Sequence, residues 1–288
     1  METSSILQKV RKIEIKTRGL SNHIFAGEYH SAFKGRGMTF AEVREYQYGD
    51  DVRSIDWNVT ARFGHPYIKI FEEERELTVM LLIDVSGSRE FGTVSRMKMD
   101  VVTEVAATLA FSTIQNNDKI GVIFFSDRVE KFIPPQKGRK HVLHIIRELI
   151  DFKPQSTRTN LSEALRYFTN AIKKRSTAFL ISDFMDAGFE KELTIANRKH
   201  DVVALHVYDI RETEMPDVGL VKLKDAETGE RIWVDTSDIR LRKSYKNAWG
   251  QSQLELQKTF TRSGVDSVSM STADDYVKSL MKLFRMRA

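Results

Sequence analysis

The sequence predicts an α/β fold: a doubly wound, mostly parallel sheet with an irregular N-terminal cap and a β-hairpin insertion. Three observations carry this. Leu77–Asp84 is a near-continuous apolar run that stops at a carboxylate, as central strands buried on both faces do. Behind it, strand-like and helix-like segments alternate, the mark of crossover connections. The alternation breaks once, at residues 211–237, where Gly219–Lys224 and Arg231–Asp235 flank Glu227-Thr228-Gly229 and read as a hairpin.

The elements follow in order. Residues 20–75 are polar and punctuated by Gly35, Gly37, Gly49 and Gly64, with Met38–Tyr46 and Tyr67–Phe71 as short strands or single turns. After the strand at Leu77, Ser95–Asn116 places Met99, Val102, Ala106, Leu109 and Ile114 at helical spacing. Lys119–Ser126 is a strand, and Val129–Ile133 is an arm that stops before Pro134-Pro135. Arg139–Phe152 and Asn160–Lys173 are helices, Ala178–Ser182 a strand, Phe189–His200 a helix and Val202–Tyr208 a strand. Beyond the hairpin come a long helix from Ser237 to about Thr261, a strand at Val265–Met270 and a last helix from Asp274. The expected organisation is a cap, residues 1–76, packed on a main domain, residues 77–288.

Composition narrows the function. The chain has no cysteine, which excludes disulfides, thiolate catalysis and Cys-based zinc sites. Its 45 basic and 40 acidic residues are interspersed, with no basic run interleaved with aromatics, so nucleic acid is not an expected partner. Met1–Val10 has no apolar core of a signal peptide. Leu77–Ile83 is too short to span a membrane and Val101–Phe111 is interrupted by Glu104. No transmembrane segment and a cytoplasmic location are therefore expected. Ile6–Arg18 sets Leu7, Val10 and Ile13 against Lys9, Arg11, Lys12 and Lys16. That order would suit peripheral contact with an anionic membrane, and better suits a helix docked on the domain.

Open α/β sheets bind ligands at the carboxyl ends of their strands. At the end of the first strand stands Asp84-Val85-Ser86-Gly87-Ser88, Arg158-Thr159-Asn160-Leu161 opens a helix, and Asp183 follows the strand Ala178–Ser182. Two carboxylates and three hydroxyls thus converge from three loops. An all-oxygen set with few acids suits a small hard cation, Mg²⁺ (or Mn²⁺), better than Ca²⁺. It also leaves room for an incoming carboxylate to complete the shell. Asp84 and its serines alone would equally make an Asx turn, and Thr159 or Asn160 would equally cap a helix; it is the joint set that favours a metal.

Asp84-x-Ser86-x-Ser88, Thr159 and Asp183 resemble, in type, order and strand placement, the metal-ion-dependent adhesion site of von Willebrand factor A domains, over about residues 77–210. The resemblance implies that Asp84, Ser86, Ser88, Thr159 and Asp183 hold the metal. A second likeness precedes it. Gly37-Met38-Thr39-Phe40, Val43-Arg44-Glu45-Tyr46, Gly49-Asp50-Asp51-x-Arg53-x-Ile55-Asp56-Trp57, Ala61-Arg62 and Glu74-Arg75 resemble the block that precedes the A-like domain in the bacterial domain-of-unknown-function 58 family. That family is associated with MoxR-type AAA+ ATPases, which implies a bacterial protein with an ATPase-linked partner, although the long members' transmembrane helices are missing here.

The expected function is a metal-dependent protein–protein interaction module, not an enzyme, acting as an adaptor for a MoxR-type ATPase in protein assembly or maturation. Its partner donates a carboxylate to the metal. The alternatives are a metal-dependent phosphoesterase centred on Asp84 and an RNA-binding A-like domain. Against the first, the position two residues after Asp84, where a general acid would stand, is Ser86, and there is no Walker A or GxSxG motif. His141 and His144 share a helix face without a third ligand. In the charged stretch Arg44–Arg62, Arg44, Arg53 and Arg62 are expected to pair with Glu45, Asp50, Asp51 and Asp56 around a buried Trp57.

Overall fold

The structure, a computed structural model, describes residues 11, 13, 14, 38–73, 77–90 and 96–287. Gly35, Gly37, Glu74, Arg75 and the Ile6–Arg18 segment other than Arg11, Ile13 and Glu14 lie outside these residues. The three exceptions are helical, and Glu14 accepts a hydrogen bond from Nε of Arg139 at 3.1 Å. The chain divides into two compact units, Lys34–Leu77 and the remainder.

In the smaller unit β1 (Met38–Glu45) pairs antiparallel with β2 (Tyr67–Glu73), with a register break between Phe40 and Glu42. Between them lies α1 (Trp57–Phe63), in a stretch whose density of charge had hidden a helix. Its start has a local cause: Asp56 accepts from the amides of Asn58 at 3.0 Å and Val59 at 3.3 Å. Its end is Gly64, at φ 76°, where a side chain would be strained. Arg44 holds Asp50 in a fork of two 2.8 Å bonds, as expected, and Arg53 pairs with Asp51 at the surface. Trp57 is not a buried anchor: it is 70% exposed. As the first residue of α1, it follows the cap residue on a short helix with no buried residue.

The larger unit is built on a six-stranded sheet. Its strands are β3 (Thr78–Asp84), β4 (Lys119–Phe125), β5 (Val129–Gln136), β6 (Thr177–Ser182), β7 (Asp201–Tyr208) and β10 (Asp266–Ser271). They lie in the order β10-β7-β6-β3-β4-β5, all parallel except β5, which runs antiparallel to β4. The alternating helices are α2 (Lys98–Gln115), α3 (Arg139–Asp151), α4 (Leu161–Ala171) and α5 (Glu190–Lys199). After β7 come a single turn, α6 (Ile210–Thr213), and the hairpin of β8 (Leu220–Lys224) and β9 (Arg231–Asp235). The long α7 (Ile239–Ser263) and α8 (Tyr276–Arg287) flank β10. This is the expected doubly wound, mostly parallel α/β architecture, with the hairpin as an insertion.

Position in the sheet explains the strand composition. Residues 79–84 of β3 are all buried, because neighbours flank the strand on both sides and helices cover the sheet. On one face Met80, Leu82, Ile123, Phe125 and Leu180 pack with Leu161, Leu165 and Phe168 of α4. The buried residues of α4 recur at Leu161, Ala164, Leu165 and Phe168, the spacing of one helical face. Removing a ring such as that of Phe168 costs about 3–5 kcal/mol. One expectation needs correction: β5 does not stop before Pro134-Pro135 but runs through both. It is the edge strand, where a missing N–H removes no ladder bond, and its register shifts beside the prolines.

The chain leaves β3 toward β4 and returns on its other side at β6. That reversal is the switch point at which such sheets open a crevice beyond their carboxyl ends.

Candidate metal centre

Register brings the first two acids together. Ile83 of β3 pairs with Ile181 of β6, so Asp84 ends its strand level with Ser182, and Asp183 follows one residue later. Asp84 is oriented at both oxygens: Oδ1 accepts from the Ser86 amide at 2.9 Å and Oδ2 from the Ser182 hydroxyl at 2.7 Å. The first contact is the Asx turn anticipated for this motif, and it turns the chain so that the Ser86 and Ser88 hydroxyls lie 3.2 Å apart. Backbone bonds tie the neighbouring loops to this turn. Gly87 donates to the Thr157 carbonyl at 2.9 Å, and Asn160 donates to the Ser126 carbonyl at 3.0 Å.

On the second loop the division of labour is clear. Asn160 caps α4 by accepting from the Glu163 amide at 3.0 Å, which leaves the Thr159 hydroxyl for other contacts. Asp186 is a second cap, accepting from the Leu161 amide at 2.8 Å, which accounts for its carboxylate without a metal.

Electrostatics set the two acids apart. Burial and the charge of Asp183 push the Asp84 carboxyl up to about 6. Burial acts on Asp183 in the same direction, but the Lys98 ammonium, together with hydrogen bonds from Ser88 and the Met185 amide, brings the carboxyl below its usual value. Lys98 was not foreseen from the sequence. Its Nζ sits 2.9 Å from Oδ2 of Asp183, also contacts Glu212, and the residue is 2% exposed. Its only sequence signal is register: Lys98 stands where Val102, Val105 and Leu109 continue the buried face of α2.

These residues fit a divalent cation. Three carboxylates against one ammonium leave an excess of two negative charges when all are ionised, in a place where water reaches Asp84 and Asp183 poorly. Around them stand the neutral hydroxyls of Ser86, Ser88 and Ser182. Among the described residues no group of three or more His, Asp or Glu is placed to hold a metal ion. Lys98 and Glu212 lie outside the expected five-residue set and add to its charge balance.

Comparison with known proteins places the chain. It is 29% identical over 281 residues to the uncharacterized protein Rv1480 of Mycobacterium tuberculosis, covering 96% of this chain and 88% of that one. The uncharacterized protein YeaD of Bacillus subtilis is 30% identical over 109 residues, 38% of this chain and 25% of that one. Among solved structures, the conserved hypothetical protein BatB of Bacteroides thetaiotaomicron matches with 15% identity and a TM-score of 0.48, over 73% of this chain and 98% of that one. Residues 42–255 match the family described as protein of unknown function DUF58, a span that includes most of the smaller unit, the loops that carry Asp84, Thr159 and Asp183, and the hairpin; the chain belongs to that family.

Proposed function

We propose that this protein is a divalent-cation-dependent protein-interaction module, with Mg²⁺ or Mn²⁺ held by Asp84, Ser86, Ser88, Thr159 and Asp183. The observation that carries the reading is the pairing of Asp84 and Asp183, two buried acids at the switch point with more negative charge around them than Lys98 neutralises. Bound there, the metal supplies a Lewis-acidic position for an anionic oxygen. The chain's own residues do the rest. Asp84 and Asp183 provide charge, and Ser86, Ser88 and Thr159 provide neutral oxygens. Ser182 and the Ser86 amide fix the Asp84 carboxylate, while Lys98 fixes one oxygen of Asp183.

The partner's contribution is a carboxylate from an acidic side chain. The likeness between the N-terminal block and the DUF58 family makes a cytoplasmic MoxR-type AAA+ ATPase the partner to test first, with this protein as its adaptor in assembly or maturation. A phosphoesterase reading has less support. It needs Asp84 as a free nucleophile, yet both its oxygens already accept hydrogen bonds and Ser86 replaces a general acid.

Titration calorimetry with Mn²⁺ tests the reading. Wild type should bind one ion, and a hundredfold excess over Kd should stabilise the fold by about 2.7 kcal/mol. Asp84→Ala should bind none. The immobilised protein should retain its acidic partner in Mg²⁺ and release it in EDTA. Retention in EDTA would move the interaction away from this site.

A further inference from the structure

The hairpin insertion stands 68 residues beyond Thr159 in sequence, yet its tip lands on the metal loops. The Thr159 hydroxyl donates to Oε1 of Glu227 at 2.8 Å, and the Thr157 hydroxyl donates to the Glu227 carbonyl at 2.7 Å. Beside them the Ala226 carbonyl closes on Gly87, between Ser86 and Ser88 of the Asp84–Ser88 turn. A Cβ at Gly87 would lie 2.3 Å from that oxygen, so only glycine admits the tip at this distance.

The tip is built to hold its shape. Asp225 Oδ1 accepts from the amides of Glu227 and Thr228, both at 2.8 Å. The Asp225 amide donates to the Glu230 carbonyl at 2.8 Å, and Gly229 takes the positive φ of 76° that closes the turn. Glu227 is thus fixed at its backbone while its carboxylate reaches inward. Among the described residues it makes no ion pair with any lysine or arginine. An acid aimed at a site already rich in acids, without a basic partner, gains little there unless a cation is present.

We infer that Glu227 is an in-chain ligand of the metal, occupying the position that an incoming partner carboxylate would take. This rests on the proposed metal-binding function and adds a sixth oxygen donor to its five residues, the number that Mg²⁺ and Mn²⁺ favour. The consequence is competition. A tethered carboxylate acts at the high effective concentration of a short linkage. A partner's acid engages the metal only by displacing Glu227 and separating the hairpin tip from Thr157 and Thr159. The hairpin then sets a threshold that excludes free carboxylates and admits a partner with further contacts.

The test is Mn²⁺ binding to the full chain, read by calorimetry and by water-proton relaxation of the bound ion, in wild type, Glu227→Gln and Asp84→Ala. Glu227→Gln should weaken Mn²⁺ binding by about tenfold or more and raise the relaxation by the contribution of one additional exchangeable water. Acetate at millimolar concentration should reverse that rise in Glu227→Gln and leave wild type unchanged. Equal affinity and equal water number in wild type and Glu227→Gln, with binding lost in Asp84→Ala, would sink this inference and spare the metal site. Displacement of water from the wild-type ion by acetate would overturn it equally, without any variant. Absence of Mn²⁺ binding to wild type would overturn both.

Discussion

The ammonium of Lys98 lies 2.9 Å from a carboxylate oxygen of Asp183 across 85 residues of sequence, with both side chains sealed from solvent. Burial alone would lower the Lys98 pKa, yet the carboxylates of Asp183 and Glu212 hold it above its usual value. The charge at the site is therefore part of the fold before any ligand arrives.

Lys98→Met tests this. The substitution keeps the length of the side chain and removes the charge, leaving the buried Asp183 and the half-buried Glu212 without their base. Breaking a buried pair from one side costs about 3–5 kcal/mol. Urea unfolding at neutral pH should show that loss, and excess Mg²⁺ should recover part of it by supplying positive charge to Asp183. A variant as stable as wild type would mean that these acids are not ionised in the fold.

The same pair shows how far the sequence could be read. β3 was legible because a strand buried on both faces is apolar at every position, and its terminal Asp84 stands out against that run. The places of Thr159 and Asp183 were legible because both stand at the ends of elements, where the switch-point rule directs attention. Lys98 and Glu227 were not. Their contacts span 85 and 68 residues, which no local pattern reports, although Glu227 itself is readable as part of the hairpin turn. Trp57 failed for another reason: large aromatics are usually buried, but here the indole follows the cap of a short surface helix.

Asp84 should make the metal-free protein more stable in mild acid. Its carboxyl stands at about 6 in the fold against an ordinary 3.8, so between those values the folded state binds more protons than the unfolded chain. Stability then falls as pH rises. The contribution is full below 3.8 and is lost as pH climbs through about 6. Between pH 5 and pH 7 it amounts to roughly 1 kcal/mol, and Asp84→Asn should abolish that slope. Denaturation in EDTA across this range measures it. A wild-type slope that survives in Asp84→Asn would assign the titration to another group.

Trp57→Ala should change stability by no more than about 0.5 kcal/mol, the usual range for exposed positions. Asp56→Ala, one residue earlier, should be worse by about 1 kcal/mol because it removes the cap of α1. Hydrogen exchange at the Asn58 and Val59 amides reads the difference directly. If Trp57→Ala is the more damaging of the two, the indole has a buried role after all.

Three glycines separate space from backbone freedom, and Gly87 is the one that couples the Asp84–Ser88 loop to the hairpin. Gly250 lies within α7 at an ordinary φ, and a Cβ there meets open space. Gly250→Ala should therefore stabilise the protein by about 0.4–1 kcal/mol. Gly229 also has room but adopts φ 76°, so Gly229→Ala should cost about 1 kcal/mol in backbone strain and leave the tip near its place. At Gly87 the obstacle is the backbone oxygen of Ala226, which no rotamer change relieves. Either the turn holding Ser86 and Ser88 must shift or the hairpin tip must lift. Gly87→Ala should cost about 1–3 kcal/mol, speed exchange at the Gly87 amide, and expose the Asp225–Gly229 turn to limited proteolysis. The proteolysis decides the matter: a hairpin as protected in Gly87→Ala as in wild type would show that the tip does not rest on the Asp84–Ser88 loop.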